Sequence, residues 1–373
     1  MLIQHALAYL DGAFVSGMDV RVTAGVVAEI GSALDALPGE EVLDAAGGYL
    51  LPGFVDVHVH ACQGHDAMRG EADIRAMSRS LRAMGVAAFL PTTMSASQAD
   101  TRGAVASIRA VMECPEPRGA KVLGAHMEAP FLAEGKCGAQ RKEFFLDPSM
   151  EALEGLTGGD VGAVRVITMA PERPGSEAFI RQASARGITV SMGHTNADAG
   201  QVHDAASWGA SHVTHTFNAQ TPLHHREPGV PGAALVDDRL YCEMICDGVH
   251  LHPDIIRLIV RAKGPDKAVM ITDAMEAAGM PDGQYDLGGQ QVFVRGAEAR
   301  LASGTLAGSV LTMSTALRNM IHRFGFAPVD AVRMCTQTPA ESIGERLAGR
   351  IRVGAPAPLT LWDGAWESMR VLG

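Results

Sequence analysis

Eight apolar segments recur through the chain, and each of them ends in or near a polar or charged residue. Unbroken apolar runs of this length are typical of strands that are buried on both faces, as in a parallel sheet. Because parallel strands need a long crossover between them, such a chain must alternate strands with longer connections. The eight segments are FVDVHVH (54–60), VAAFLPTT (86–93), KVLGAHME (121–128), VRVITMAP (164–171), ITVSMGHT (188–195), SHVTHTFN (211–218), LYCEMICDG (240–248) and KAVMITDA (267–274).

Between most of these segments, apolar residues recur at three- and four-residue intervals, which is the spacing of an amphipathic helix. Eight strands that alternate with helices predict an α/β fold, a closed parallel (β/α)8 barrel whose catalytic groups lie at the C-terminal strand ends. An open doubly wound sheet is the main alternative, but no GxGxxG follows a predicted strand and no GxxxxGK[ST] occurs. The helical spacing is seen, for example, at Ile74, Met77, Leu81 and Met84, and again after Pro253.

The two ends of the chain depart from the barrel pattern. Residues 1–51 contain short β-rich pieces that are broken by Gly and Asp, and residues 346–373 return to short strands. We predict that these two segments form one small β-sandwich and that residues 52–345 form the barrel. A Gly-rich, hairpin-like segment is expected to follow the last barrel strand.

Composition and charge limit the partners. A formal charge of -11 without a block of Lys or Arg argues against nucleic acid and against an anionic membrane surface. No apolar run reaches the roughly 18 residues of a membrane span, and the N-terminus lacks the features of a signal peptide, so we predict a cytoplasmic protein. The six cysteines are scattered, which favours reduced thiols, and Cys242 and Cys246 are interpreted as buried small residues rather than zinc ligands.

The residues that end the apolar segments form the ligand set of a metal site. Imidazoles and carboxylates suit a borderline or hard divalent ion, and a buried carboxylate without a cation would be costly. An ion pair of the glutamate with a barrel arginine, and capping or packing roles for the histidines, are the structural alternatives. The predicted ligands are His58 and His60, which share one face of the first strand, with Glu128, His194 and His215.

Asp273 ends the eighth segment and is the candidate acid/base. A bound divalent ion lowers the pKa of its water from ~15.7 to roughly 7, and Asp273 would accept the proton that is released. The alternative is that Asp273 caps a helix at the strand end. Two further histidines are interpreted as structural: His126, one layer deeper than Glu128, as a packing or supporting residue, and His212, at the start of its strand.

Seven motifs carry a family resemblance: PGFVDVHVH, GAHMEAPFLAEGKCGAQ, MGHTNA, THTFNAQTPLHHREPG, CDGVHLHP, ITDAM and GTLAGS. In order and spacing, over nearly the whole chain, they resemble the N-acetylglucosamine-6-phosphate deacetylases of the amidohydrolase superfamily. HREPG, DGVH and GTLAGS separate this family from other amidohydrolases. The resemblance implies hydrolysis of the acetamide of N-acetylglucosamine 6-phosphate to glucosamine 6-phosphate and acetate. It also implies one or two divalent metals, zinc or iron, in each subunit.

The resemblance implies roles for individual residues. Asp273 matches the catalytic acid/base; Glu128, His194 and His215 match the principal metal ligands, and His58 with His60 matches a pair that holds a second metal in some members. Arg226 matches a phosphate-binding residue, and His250 one that reaches the phosphate from a neighbouring subunit, so a homodimer is implied. The other implied substrate contacts are Ala139, Gln140, Asn218, Ala219, Asp247, Gly248, Val249, Leu306, Ala307 and Gly308.

Three departures from the family pattern leave alternatives open. Gln140 stands where the family often has a histidine, and an amide can donate a hydrogen bond but cannot carry charge. Ala129 and the pair Ala61 and Cys62 add bulk where glycine is usual, and Cys62 is expected to line the site passively. The alternatives are a deacetylase of N-acetylgalactosamine 6-phosphate, another amidohydrolase acting on an amide without phosphate, and a barrel without activity that serves as a binding module.

Overall fold

The computed structural model describes the whole chain, residues 1–373. The strands are β1 Leu2–Leu10, β2 Ala13–Thr23, β3 Val26–Gly31, β4 Val42–Asp44, β5 Tyr49–Pro52, β6 Phe54–Val59, β7 Ala61–Cys62, β8 His65–Asp66, β9 Val86–Thr93, β10 Lys121–Val122, β11 Ala125–Met127, β12 Val164–Met169, β13 Thr189–Met192, β14 His212–Val213, β15 Tyr241–Ile245, β16 Ala268–Ile271, β17 Gly283–Leu287, β18 Gln290–Arg295, β19 Glu298–Leu301, β20 Leu359–Trp362 and β21 Met369–Leu372.

Ten α-helices lie mainly between the strands of the middle of the chain. They are α1 Glu71–Ala83, α2 Gln98–Glu113, α3 Met150–Thr157, α4 Ser176–Ala185, α5 Ala199–Trp208, α6 Gly229–Val236, α7 Pro253–Lys263, α8 Met313–Arg318, α9 Pro328–Cys335 and α10 Gln337–Ser342. Short 3-10 turns occupy Ala67–Arg69, Glu134–Lys136, Lys142–Phe144 and Val161–Ala163, and a π-helical turn spans Asn319–Arg323. None of these helices combines the length and the apolar character needed to cross a membrane.

The middle of the chain forms the predicted parallel barrel. Around the barrel the order is β6, β9, the third strand formed by β10 and β11, then β12, β13, β14, β15 and β16, with parallel pairing throughout. A bridge between Val59 and Ala274 brings the last strand beside the first, and the Asp273 amide donates to the His58 carbonyl over 2.8 Å. The prediction of a (β/α)8 barrel is therefore confirmed.

Several barrel strands are shorter than the apolar segments that predicted them. The run 121–128 is interrupted at Gly124, whose φ of +147° takes it out of the sheet, and the run 211–218 forms only a two-residue strand. A Cβ at Gly124 would lie 2.7 Å from the Cβ of Arg165, so glycine is required where these strands approach each other. The residues beyond the strand ends form the mouth of the barrel.

The predicted helices pack on the outside of the barrel. In α1, the side chains of Ile74, Met77 and Leu81 are buried, as their spacing indicates, and α7 begins with Pro253 in its first turn. A single core of 77 buried residues joins the strands to these helices. Full burial of each large aliphatic side chain stabilises the fold by about 1.5–3 kcal/mol, so this continuous layer fixes the strand ends relative to one another.

The N- and C-terminal segments together form a separate β-sandwich domain, as predicted. Its strands follow the order β21, β20, β5, β1, β2, β3, and β4 pairs with the first residues of β1. Ile3, Leu50 and Leu359 lie in its own core of 12 buried residues. The exact division into 1–51, 52–345 and 346–373 stays a prediction.

The Gly-rich segment after the last barrel strand forms a third, small sheet of β17, β18 and β19. Met275, Leu287 and Ala307 belong to a core of eight buried residues beneath this sheet. Because Leu287 lines the main cavity, together with Thr305, Leu306 and Gly308 from the loop after β19, this sheet forms one wall of the site.

Candidate active site

Three of the candidate residues occupy equivalent places just beyond their strands. His194, His215 and Asp273 each come two residues after the last residue of β13, β14 and β16. All three have positive φ, of 47°, 27° and 49°, which is unusual for residues with a side chain. Such strained backbone is often found at functional sites, where the surrounding structure holds it in place. Here it turns each side chain over the mouth of the barrel.

The first ligand set consists of Glu128, His194 and His215. Glu128 Oε1 lies 3.0 Å from Nε2 of His215 and 3.2 Å from Nε2 of His194, and the two Nε2 atoms are 3.1 Å apart. All three side chains are buried. No arginine contacts Glu128, so the alternative of an ion pair with a barrel arginine is not supported.

The second ligand set consists of His58, His60 and Asp273. The Nε2 atoms of the two histidines are 3.3 Å apart, and Asp273 Oδ1 lies 3.2 Å from His60 Nε2 and 3.5 Å from His58 Nε2. Glu128 reaches this set as well, with Oε1 3.3 Å from His58 Nε2 and Oε2 3.3 Å from His60 Nε2. Glu128 is therefore placed to bridge the two sets.

The geometry of the ring nitrogens fits a cation. The Nδ1 atoms of His194 and His60 face the carbonyl oxygens of Lys136 and Thr92, at 2.8 and 3.2 Å, so each Nδ1 carries the proton that it donates. In the neutral ring this leaves a lone pair on Nε2, and these lone pairs converge with the carboxylates. Within each set the ligand atoms all lie within 4.8 Å of one another. These residues could hold one or two divalent ions, whose charge would stabilise the converging lone pairs.

The histidines and carboxylates of the two sets shift one another's pKa values. Burial lowers the pKa of His60, but hydrogen bonds to Asp273 and Glu128 outweigh it and raise the pKa to about 9. Burial raises the pKa of Asp273, and the charges of His58 and His60 outweigh it and hold the pKa at about 2. The same imidazoles hold the pKa of Glu128 well below its usual value. The carboxylates are therefore ionised, and a divalent ion can take the place of the protons on the rings.

Asp273 does not cap a helix. No helix begins between β16 and α8, and its carboxylate faces the histidines of the second set. Its backbone is held independently of the side chain, because the Asp273 amide donates to the His58 carbonyl and the Asp273 carbonyl accepts from the Ser309 amide over 2.7 Å. The side chain of Asp273 thus plays no part in holding its own backbone, and it lines the cavity.

A cavity of 490 Å³ opens above the two sets. It is lined by His60, Glu128, His194, His215 and Asp273, and by seven of the predicted substrate residues: Ala139, Gln140, Asn218, Ala219, His250, Leu306 and Gly308. Lys136 and Arg300 also line it and add positive charge to the wall. The remaining predicted residues do not line the cavity: Arg226, Asp247, Gly248, Val249 and Ala307.

His250 lies on the wall of the cavity in its own chain, and its contribution to a neighbouring subunit stays a prediction. Its Nδ1 is 2.7 Å from Asp247 Oδ2, and the His250 amide donates to Asp247 Oδ1 over 2.9 Å. Burial lowers the pKa of His250, but the hydrogen bond to Asp247 outweighs it and raises the pKa. Asp247 therefore positions an imidazole ring that lines the cavity of the same chain, in the loop after β15.

Arg226 lies elsewhere. Residues 222–228 are all exposed, and the Arg226 guanidinium contacts only the neighbouring His225, at 2.7 Å. Gln140 lines the cavity, and its amide is also engaged within the chain. Its oxygen accepts from the Ser95 amide over 2.7 Å and its nitrogen donates to Glu128 Oε2 over 2.5 Å. The side chain of Gln140 therefore supports a ligand directly.

Beneath the ligands, the structure contains a buried carboxylate that the sequence argument overlooked. Glu243 lies in β15 with no exposed surface, and its Oε2 is 3.0 Å from His58 Nδ1. A charged residue inside an otherwise apolar, fully buried strand was the available signal. His126, in contrast, supports the barrel as expected, with its ring nitrogens bonded to the Val57 carbonyl and the Thr168 hydroxyl. Lys136 and Arg300 were overlooked too, and no local pattern marks them.

The chain matches a known protein family over most of its length. The Amidohydrolase family model matches residues 49–372. The N-acetylglucosamine-6-phosphate deacetylase of Bacillus subtilis (strain 168) is 35% identical over 367 residues, which are 97% of this chain and 92% of that protein. The N-acetylgalactosamine-6-phosphate deacetylase of Escherichia coli O157:H7 is 35% identical and covers 92% of this chain and 90% of that one.

A solved structure extends the likeness to three dimensions. It is a variant of the N-acetyl-D-glucosamine-6-phosphate deacetylase of Mycobacterium smegmatis in complex with N-acetyl-D-glucosamine-6-phosphate. It superposes with a TM-score of 0.89 at 32% identity, over 98% of this chain and 96% of that one. The resemblance drawn from the motifs is confirmed. The chain belongs to the N-acetylglucosamine-6-phosphate deacetylase family of the amidohydrolases.

Proposed function

We propose that this protein hydrolyses the acetamide of N-acetylglucosamine 6-phosphate to glucosamine 6-phosphate and acetate. The observation that carries the proposal is the convergence of two ligand sets and Asp273 on the floor of one polar cavity. The family and the bound sugar phosphate in the Mycobacterium smegmatis structure support the same substrate class.

The ligand sets suggest the chemistry at the floor of the cavity. When bound by Glu128, His194 and His215, with His58 and His60 available for a second ion, zinc or iron would acidify a water molecule and polarise the amide carbonyl. Asp273 takes the proton of the attacking water on its carboxylate as the new C–O bond forms. It then donates that proton to the nitrogen as the C–N bond breaks. Acetate and the free amine are the products.

The phosphate of the substrate needs positive charge far from the reacting bond. His250, Lys136 and Arg300 supply it on the wall of this chain's cavity. Arg300 donates through Nε to Glu298 and through Nη1 to the Gly304 carbonyl, which leaves Nη2 without a partner inside the chain. Arg226, on its exposed loop, could meet the phosphate only across an interface or after the loop moves. We therefore infer a homodimer in which Arg226 of one copy faces the cavity of the other.

The proposal is tested by measuring acetate release from N-acetylglucosamine and N-acetylgalactosamine, each with and without 6-phosphate, on protein of measured metal content. We expect the phosphorylated glucosamine derivative to have the highest kcat/KM. The galactosamine derivative is the second candidate substrate, since the relative from Escherichia coli O157:H7 is as similar at 35% identity. Activity that does not depend on the phosphate would contradict the assignment. The cytoplasmic location also stays a prediction.

Replacing Arg226 by Ala should weaken catalysis with the phosphorylated sugar selectively. A charge-assisted hydrogen bond contributes about 1.5–3 kcal/mol, so kcat/KM should fall about 10- to 100-fold with the phosphate and change little without it. Arg181→Ala is the matched control, because Arg181 is an exposed arginine in α4 that pairs only with Glu177. An equal loss on both sugars would remove Arg226 from phosphate binding. Sedimentation of the wild-type protein would test the dimer directly.

Replacing Gln140 by Ala should weaken metal binding. The change removes the hydrogen bonds that Gln140 makes to Glu128 Oε2 and to the Ser95 amide. Loss of such a supporting hydrogen bond typically costs about 10- to 100-fold in metal affinity. The metal dissociation constant, measured by competition with a chromophoric chelator, checks this. Gln291→Ala serves as the control, since Gln291 is exposed in β18 and bonds only to Gln284. An unchanged dissociation constant with a lower kcat would instead assign Gln140 to the substrate.

A further inference from the structure

Glu243 is a charged residue in the interior of the barrel. It lies in the middle of β15, below the ligand sets, and has no solvent-exposed surface. A carboxylate in such a place is costly unless it is paired and hydrogen-bonded. Glu243 does not itself line the cavity. The role of Glu243 therefore depends on the groups that its two carboxylate oxygens contact.

One carboxylate oxygen of Glu243 contacts a histidine of each ligand set. Oε2 lies 3.0 Å from Nδ1 of His58, a member of the second set. The same oxygen accepts a hydrogen bond of 2.9 Å from the backbone amide of His215, a member of the first set. His215 has a positive φ of 27°, which is a strained backbone conformation for a residue with a side chain. The hydrogen bond from its amide to Glu243 holds the backbone in this conformation.

A separate metal site around Glu243 is the obvious alternative. His58, His126 and Glu243 do offer ligand atoms within 4.8 Å of one another. However, His126 already uses Nδ1 on the Val57 carbonyl at 3.0 Å and Nε2 on the Thr168 hydroxyl at 2.8 Å. His58 Nδ1 is engaged with the carboxylate itself. No lone pair of His126 is free to point at an ion, so this group is a support and not a site.

We propose that Glu243 is a positioning residue that couples the two ligand sets, by orienting the ring of His58 and by fixing the backbone of His215. The inference rests on the proposed metal site. A carboxylate that accepts the Nδ1 proton of a ligand histidine fixes its tautomer, turns Nε2 towards the metal and makes that nitrogen a better donor. Because one oxygen serves both sets, loss of the carboxylate should disturb both together.

The second oxygen of Glu243 supports an electrostatic role for this residue. Oε1 has no hydrogen-bond partner, and neither has either ring nitrogen of His212, which starts the neighbouring strand β14. The negative charge of Glu243 is therefore stabilised mainly by His58, which contacts the other oxygen. Removing the charge without changing the shape of the side chain should weaken its effect on His58 while preserving the packing of the barrel.

The test uses full-length protein freed of metal, and compares wild type with Glu243→Gln. Zinc affinity is measured by competition with a chromophoric chelator, and Co²⁺ is added to follow the visible absorption spectrum of the ligand environment. We expect Glu243→Gln to bind zinc about 10- to 100-fold more weakly and to show an altered cobalt spectrum. Thr168→Val is the matched control, since it removes a buried polar group in the barrel interior that contacts no ligand.

The outcomes separate this inference from the proposed function. If wild type binds neither zinc nor cobalt, the proposed metal chemistry fails together with the inference. If wild type binds them and Glu243→Gln has the same affinity and spectrum, only the inference is overturned. Should Glu243→Gln fail to fold, Glu243→Asp decides by the same two measurements, because it keeps the charge but withdraws the carboxylate from His58 and His215. A wild-type spectrum for Glu243→Asp would then overturn the positioning role.

Discussion

Replacing Asp273 by Asn is expected to lower kcat by about 10²- to 10⁴-fold, the usual contribution of a general acid/base. The amide has the size of the carboxylate but cannot take up the proton of the attacking water or return it to the leaving nitrogen. The backbone at this position should not move, because its hydrogen bonds to His58 and Ser309 involve main-chain atoms.

The measurement is acetate release under saturating substrate, together with metal content and thermal stability of the variant. Asp282→Asn is the control, since Asp282 is an exposed aspartate in the loop before β17 that bonds only to the Gly296 amide. We expect metal bound by Glu128, His194 and His215 to stay in place. Turnover within a few-fold of wild type in metal-loaded Asp273→Asn would remove Asp273 from the proton transfer.

The positions of the ligands could be predicted because strand ends in a barrel are equivalent. Each apolar run includes the C-terminal end of its strand. The closed order of eight strands brings all of these ends to one mouth. His194, His215 and Asp273 therefore meet although they are far apart in sequence. The pairing of His58 with His60 on one face follows from the period of two in a strand.

The supporting contacts could not be predicted, because they depend on how loops and side chains turn. Gln140 reaches Glu128 only because the loop after β11 folds back over the mouth of the barrel. The spacing of residues in the sequence does not indicate this path of the loop. His250 faces its own cavity because Asp247 holds both its ring and its amide. Arg226 stays on an exposed loop in the single chain, so a motif match alone gives its identity but not its partner. Glu243 was visible as a charge inside an apolar run, yet only the packed barrel shows that its oxygen contacts two ligands.

Replacing Glu128 by Gln is expected to remove metal from both ligand sets. Glu128 lies close to the Nε2 atoms of histidines in both sets, with His215 and His194 at one oxygen and His60 at the other. A bound metal stabilises the transition state by several kcal/mol. Losing about 4 kcal/mol of this stabilisation would reduce kcat/KM by about 10³-fold. Metal content after dialysis, measured by atomic absorption, should fall close to zero.

Comparing Glu128→Gln with His60→Gln tests whether Glu128 bridges the two ligand sets. His60 belongs only to the second set, so its replacement should leave the metal held by Glu128, His194 and His215 and should cost at most the second ion. If Glu128→Gln and His60→Gln each lose the same single ion, Glu128 does not serve the first set. If Glu128→Gln instead keeps one tightly bound ion while His60→Gln keeps two, metal binding at the two sets does not require a shared Glu128. The predicted order, with Glu128→Gln losing all metal and His60→Gln retaining at least one ion, requires a single carboxylate shared between them.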